Sequence, residues 1–248
     1  MKKGVLSIVT AVALGGFGMA GGDIAPVTSA PVDNWSGFYG GVQAGYVWND
    51  ADVDYATYVN DKLKNNQYAH GLNVDGSALG LYGGYNWLFA NDILLGVEGE
   101  INMVGASDTK ETREEGENPP EYHGVTEVEQ NWDAALLLRA GKVMGNGNWL
   151  PYIVGGVAWS NFDVTKETHK GKTFNTDLTL TGWTVGAGLE MVLTENLHAR
   201  IQYRYTDYGD DTKQIKHVQK KNKVVKNVDA KLDVAHSHQV MVGLTFRF

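Results

Sequence analysis

The sequence predicts an all-β fold, an eight-stranded antiparallel transmembrane β-barrel with short periplasmic turns and long extracellular loops. Three observations carry that expectation. Eight segments of about ten residues each alternate between an apolar face and a polar or glycine-rich face, the period-two signature of a strand between lipid and a polar interior. The connections alternate long, short, long, short, long, short, long, so an even strand number puts both termini and all three short turns on one side. The chain has 31 glycines and no cysteine, so it must close its fold without disulfides.

The first residues, MKKGVLSIVTAVALGGFGMA, place Lys2 and Lys3 before an apolar run of small residues. This reads as a secretory signal over 1–20, with Gly18 and Ala20 at the cleavage site. A membrane anchor is the alternative, but the run is about 17 weakly hydrophobic residues. Residues 21–34, GGDIAPVTSAPVDN, form a flexible periplasmic lead-in, and 35–248 form the barrel. Formal charge is −8 and becomes more negative without the two lysines, which argues against general nucleic-acid binding.

Strand one is expected over 37–48, with Phe38, Val42, Ala44, Tyr46 and Trp48 facing lipid, and a polar loop over 49–76. Strand two, 77–88, turns Leu79, Leu81, Tyr85 and Trp87 outward and ends at the turn FAND. Strand three, 93–103, is the sharpest case. Ile93, Leu95, Val97, Ile101 and Met103 alternate with Gly96, Glu98, Glu100 and Asn102. A Glu-dense loop over 105–129 precedes strand four, 131–143, in which Trp132, Ala134, Leu136, Leu138 and Ala140 share one face. The turn MGNGN leads to strand five, 151–160, with Pro151 first, where a missing donor is cheapest. A loop over 161–177 follows, then strand six, 178–192, the turn LTEN and strand seven, 197–206. The longest loop, 207–238, is lysine-rich. Strand eight, 239–248, alternates Val240, Val242, Leu244, Phe246 and Phe248 with Met241, Gly243, Thr245 and Arg247.

Aromatic residues gather at two levels, as expected for rings at the headgroup boundaries. Trp35, Phe38, Trp87, Phe89, Trp149, Phe246 and Phe248 fall at the short-turn end, and Trp48, Trp132, Trp159, Trp183 and Tyr205 towards the long loops.

The alternation turns Glu98, Glu100, Asp133 and Glu190 into the lumen, together with Arg139, Arg200, Arg204 and Arg247. Charges in a narrow interior must be paired and hydrogen-bonded. Inward glycines such as Gly41, Gly84 and Gly243 leave room for long side chains. Such a set is either an ion or proton path or a salt-bridged plug. An eight-stranded barrel is barely wide enough for its own side chains, which favours the plug.

Six histidines, His70, His123, His169, His217, His236 and His238, are expected outside the strands. They share no metal-site spacing. The acidic run KETREEGENPPE and the lysines of the last loop read as two solvated, oppositely charged loops. The alternative is a surface site where lysines meet lipopolysaccharide phosphate or an anionic porphyrin and a histidine meets iron. His198 faces inward with no serine beside it, and no nucleophile–base pair can be placed, so no catalytic or metal residue is assigned.

Five segments carry a family resemblance: WSGFYGGVQAGY at 35–46, LLLRAGKV at 136–143, PYIVGGVAWS at 151–160, TGWTVGAGLEMVLTENLHARIQYRYTDYG at 181–209 and VGLTFRF at 242–248. In these the chain resembles the small outer-membrane β-barrel proteins of alphaproteobacteria, the outer-membrane immunogenic and hemin-binding proteins related to opacity-type porin-like barrels. The resemblance implies an eight-stranded barrel in the cell outer membrane with a structural or antigenic surface role and no enzymatic activity. In some members it implies hemin as a ligand. The expected partners are outer-membrane lipid and lipopolysaccharide, the outer-membrane assembly machinery, and a host molecule or hemin at the extracellular loops. The leading expectation is a structural surface protein, followed by a hemin or other ligand receptor and then a narrow pore.

Overall fold

The computed structural model describes residues 35–59, 62–114, 122–168, 173–217 and 226–248. The proposed signal and lead-in, 1–34, lie outside them. Nine antiparallel strands form one sheet: β1 (Gly37–Val59), β2 (Lys62–Leu88), β3 (Ile93–Glu114), β4 (Tyr122–Lys142), β5 (Trp149–Thr168), β6 (Thr173–Val192), β7 (Leu197–Asp207), β8 (Gly209–His217) and β9 (Lys226–Arg247). Neighbours in sequence pair from β1 to β7. β9 then pairs with β7, β8 and also β1.

The strands have two zones of opposite polarity. Between the aromatic levels the outer face is apolar. Leu81, Ile101, Leu138, Ile153 and Val242 are all more than half exposed, and the polar residues are buried inside. Beyond Trp48, Met103 and Trp132 the pattern inverts. On β1, Ala51, Val53 and Tyr55 are buried, while Asp50, Asp52 and Asp54 point out. Leu72 and Val74 of β2, Phe162 and Val164 of β5, Leu178 and Leu180 of β6 and Leu232 and Val234 of β9 complete an apolar core there. One zone is arranged for hydrocarbon outside, the other for water outside.

This inversion corrects the expected loops. Most of 49–76, 105–129 and 161–177 is strand, and 207–238 holds β8 and the start of β9. The tips 60–61, 115–121, 169–172 and 218–225 lie outside the described residues. Two physical causes hid these strands. Their outer faces are polar, so a test for outward hydrophobes fails. Their alternation also slips by one residue at bulges near the zone boundary: Gly71 in β2, Asn131 and Trp132 in β4, and Ala235 in β9. Gly71 adopts φ +71°, the left-handed conformation that a glycine bulge uses.

Other expectations shift with it. Five of the six supposed loop histidines, His70, His123, His217, His236 and His238, lie in strands. His169 is outside the described residues. Pro151 is third in β5 rather than first, near where its neighbour β4 ends at Lys142. Nine strands lie among the described residues where eight were expected, with Tyr208 standing between β7 and β8. The short turns are as expected, one being a single 3-10 turn at Ala90–Asp92.

Candidate functional site

All eight lumen charges are buried, each with relative exposure of 4% or less. They stand in a single alternating ladder. Glu190 of β6 is the hub at the short-turn end, where it accepts from Arg139 of β4 and from Arg247 of β9 at 3.0 Å. Arg139 reaches on to Glu98 of β3 at 3.7 Å. Glu98 accepts from Arg200 of β7 at 2.7 Å, and Arg200 also bonds Glu100 at 3.2 Å. Arg204 then joins Glu100 to Asp133, at 2.7 Å each. From Arg247 to Asp133, every acid but the terminal Asp133 lies between two bases and every inner base between two acids. Alternation sets each charge against an opposite one, which burial of this depth requires.

Further side chains complete the set, and sequence reasoning did not single them out as site residues. Tyr39 donates to Glu98 at 2.7 Å, and Gln202 to Glu100 at 2.7 Å. Asn102 and Gln239 donate to Asp133 at 2.9 and 3.1 Å. His198 places Nδ1 3.0 Å from Glu190. All were legible as inward positions by the same alternation, but amides, a phenol and an imidazole carry no fixed charge to signal a partner.

The arginines are also stacked. Arg200 lies 3.2 Å above the Tyr82 ring and Arg139 3.7 Å above that of Tyr152. Each ring lies flat against the wall because its neighbours are glycines. A Cβ on Gly41 would overlap Tyr82, and one on Gly188 would overlap Tyr152. Glycine, tyrosine and arginine form three layers from wall to axis, combining cation–π attraction with ion pairing.

Both ends of the ladder are covered. At the short-turn end Trp35 is buried, donates its indole N–H to the Gly147 carbonyl at 2.7 Å, and lies against Arg247 and the edge of His198. Arg247 holds the Trp35 carbonyl at 2.8 Å. Trp35 was expected in the outer aromatic ring; it enters the lumen because a guanidinium and a carbonyl there satisfy both its face and its N–H. Phe38, Trp87, Phe89, Trp149, Phe246 and Phe248 are exposed as girdle residues should be. Above Asp133, Asn49 donates to Gln130, which donates to Ser160, at 2.8 and 2.7 Å, and the apolar core begins. Among the described residues no cluster of three or more His, Cys, Asp or Glu side chains has metal-binding geometry.

Comparisons with known proteins agree with this architecture. The family described as outer membrane protein beta-barrel domain matches residues 10–246. The 25 kDa outer-membrane immunogenic protein of Brucella ovis is 30% identical over 194 residues, 77% of this chain and 80% of that one. The 31 kDa outer-membrane immunogenic protein of Brucella melitensis is 28% identical over 229 residues, 89% and 88% of the two chains. Among solved structures, the outer membrane protein OprG of Pseudomonas aeruginosa aligns over 86% of this chain and 97% of its own, with TM-score 0.54 and 16% identity, a likeness of fold. An apolar outer belt, a buried charge ladder and these relatives have one common explanation: the chain belongs to the outer membrane protein beta-barrel domain family, as a structural surface protein of the Gram-negative outer membrane akin to the Brucella outer-membrane immunogenic proteins.

Proposed function

We propose that the protein is a closed barrel of eight staves whose lumen is a plug rather than a conduit. The β1–β9 pairing runs from Tyr39↔Arg247 to Val59↔Lys226, and β7 and β8 pair with β9 in succession, which supports counting them as one stave. Residues 1–20 are then a removed signal and 21–34 a periplasmic lead-in. The short turns face the periplasm and the apolar-cored zone stands outside the cell as a folded turret. Its surface, not its interior, meets lipopolysaccharide and host molecules, and the outer-membrane assembly machinery inserts it.

The observation that carries this reading is the unbroken ladder from Arg247 to Asp133. An ion crossing the lumen must separate several buried pairs in turn and then pass an apolar core, and each separation leaves an uncompensated charge. Single-channel recording on refolded protein in planar bilayers tests it. Absence of stable openings is expected. Long-lived openings whose selectivity changes in Arg204→Ala would replace the plug with a narrow pore.

A second reading, hemin capture, draws on one observation. On the outer wall His236 and His238 hold their Nδ1 atoms against the hydroxyls of Tyr205 and Tyr203, at 2.7 and 2.8 Å. Such bonds orient an imidazole for a metal, and imidazole and phenolate are both heme ligands. Titration with hemin separates the cases: a saturable absorbance change lost in a His236→Gln, His238→Gln double variant supports capture, and an unchanged titration in that variant removes it.

A further inference from the structure

Lys166, near the far end of β5, has a side chain buried to 7% relative exposure inside the turret, well beyond the aromatic level. Its ammonium donates to Gln67 at 2.7 Å and lies 3.7 Å above the Tyr55 ring. Neither partner is charged. This contrasts with the ladder, where each buried arginine meets a carboxylate. Burial holds the lysine down at about 8, against an ordinary value of 10.5, with no carboxylate among the described residues offsetting it.

The surroundings are rich in hydroxyl and cationic groups. Thr126 stands directly opposite Lys166 on one side and Lys110 on the other, so the three form a cross-strand row on the inner face. Lys110 is half-buried. Thr126 contacts the hydroxyls of Thr112 at 2.7 Å and Tyr55 at 3.3 Å. Three hydroxyls joined by two bonds have a third proton to donate elsewhere. One buried ammonium and a hydroxyl chain meet at the inner rim of the turret, with Lys110 in the same cross-strand row.

We propose that this layer is an anion site, in which Lys166, assisted by Lys110 and the Thr112–Thr126–Tyr55 hydroxyls, takes a single oxyanion group, a phosphate or sulfate. The ammonium supplies charge-assisted bonds and the hydroxyls fix the remaining oxygens. A bound oxyanion supplies the counter-charge that no described residue gives Lys166, which removes much of the penalty of burying it. Proton loss from Lys166 weakens the site, so affinity falls as pH rises past about 8. Glu114 holds the register position opposite Gln67 on the neighbouring strand, so its removal tests competition for the lysine.

Calorimetric titration of the full-length protein, refolded in detergent at constant ionic strength, tests the site with sodium phosphate and sodium sulfate as probes. Saturable binding is expected. Lys166→Gln should weaken it at least about tenfold, the scale of a lost charged hydrogen bond. Lys166→Arg should retain it, separating loss of charge from loss of packing, and Glu114→Gln should leave it equal or tighter. Lys142→Gln, exposed at the opposite end, should change nothing. Glucose 6-phosphate and glucose 6-sulfate distinguish the source: tighter binding than the inorganic ion assigns a sugar-borne group, equal or weaker binding a free ion. No saturable binding in the unmodified protein, or binding by Lys166→Gln equal to it, overturns the proposal.

Discussion

Arg204→Ala is the sharpest probe of the lumen. Arg204 is 2% exposed and donates to Glu100 and Asp133, at 2.7 Å each. Removing one partner of a buried pair typically costs about 3–5 kcal/mol, because the other charge is stranded. The two acids fare differently here. Glu100 keeps Arg200 at 3.2 Å and Gln202 at 2.7 Å, so it retains a cation. Among the described residues Asp133 keeps only the amides of Asn102 and Gln239, at 2.9 and 3.1 Å. Two neutral bonds of about 1 kcal/mol each soften the loss, placing it near the lower bound, about 3 kcal/mol. Adding Asp133→Asn removes the stranded charge. The double variant should therefore recover about 1–2 kcal/mol, a coupling of the size expected for groups in one network. Urea titration of protein folded into lipid vesicles, followed by tryptophan fluorescence, measures both. A single-variant cost below about 1 kcal/mol, with no recovery in the double, would mean that water screens the pair as it does at a surface. The dry ladder would then be wrong.

Three further outcomes follow from the same geometry. Leu138, 69% exposed midway along the outer face of β4, meets hydrocarbon, so Leu138→Arg should cost about 2–4 kcal/mol in vesicles. Thr245→Ser, which keeps the inward hydroxyl beside Tyr82, should be nearly silent, and equal costs would contradict the assigned faces. Trp35→Ala should cost about 3–5 kcal/mol as a buried aromatic, and clearly more than Trp149→Ala on the outer wall; parity in urea midpoints would deny Trp35 its place in the lumen. Lys166 gives a pH signature. Its folded value of about 8 lies below the unfolded 10.5, so between these the unfolded chain binds more protons and stability rises with pH. The rise is bounded by about 3 kcal/mol at 1.36 kcal/mol per unit. The curve for Lys166→Met should lack it, and an unchanged slope in that variant would show that the lysine is solvated.

The sequence by itself determined which residues face which way between the two aromatic levels. Hydrocarbon outside and a polar interior impose opposite demands on successive side chains, so Leu95 and Glu98, or Leu138 and Arg139, declare their faces by parity alone. It also supplied the members of the lumen set, because a charge in an otherwise apolar strand has nowhere else to go. The tertiary structure decided the rest. The order Arg247, Glu190, Arg139, Glu98, Arg200, Glu100, Arg204, Asp133 threads β9, β6, β4, β3 and β7. It depends on how registered strands are staggered around the lumen, which no single strand encodes. The turret was hidden for two local reasons: its outer faces are polar, and in β2, β4 and β9 bulges at Gly71, Asn131–Trp132 and Ala235 slip the alternation near the zone boundary. Trp35 lies inside for a third reason. A tryptophan at a barrel mouth suits the headgroup level as well as the lumen, and only the positions of Arg247 and the Gly147 carbonyl, brought from distant parts of the chain, select the interior.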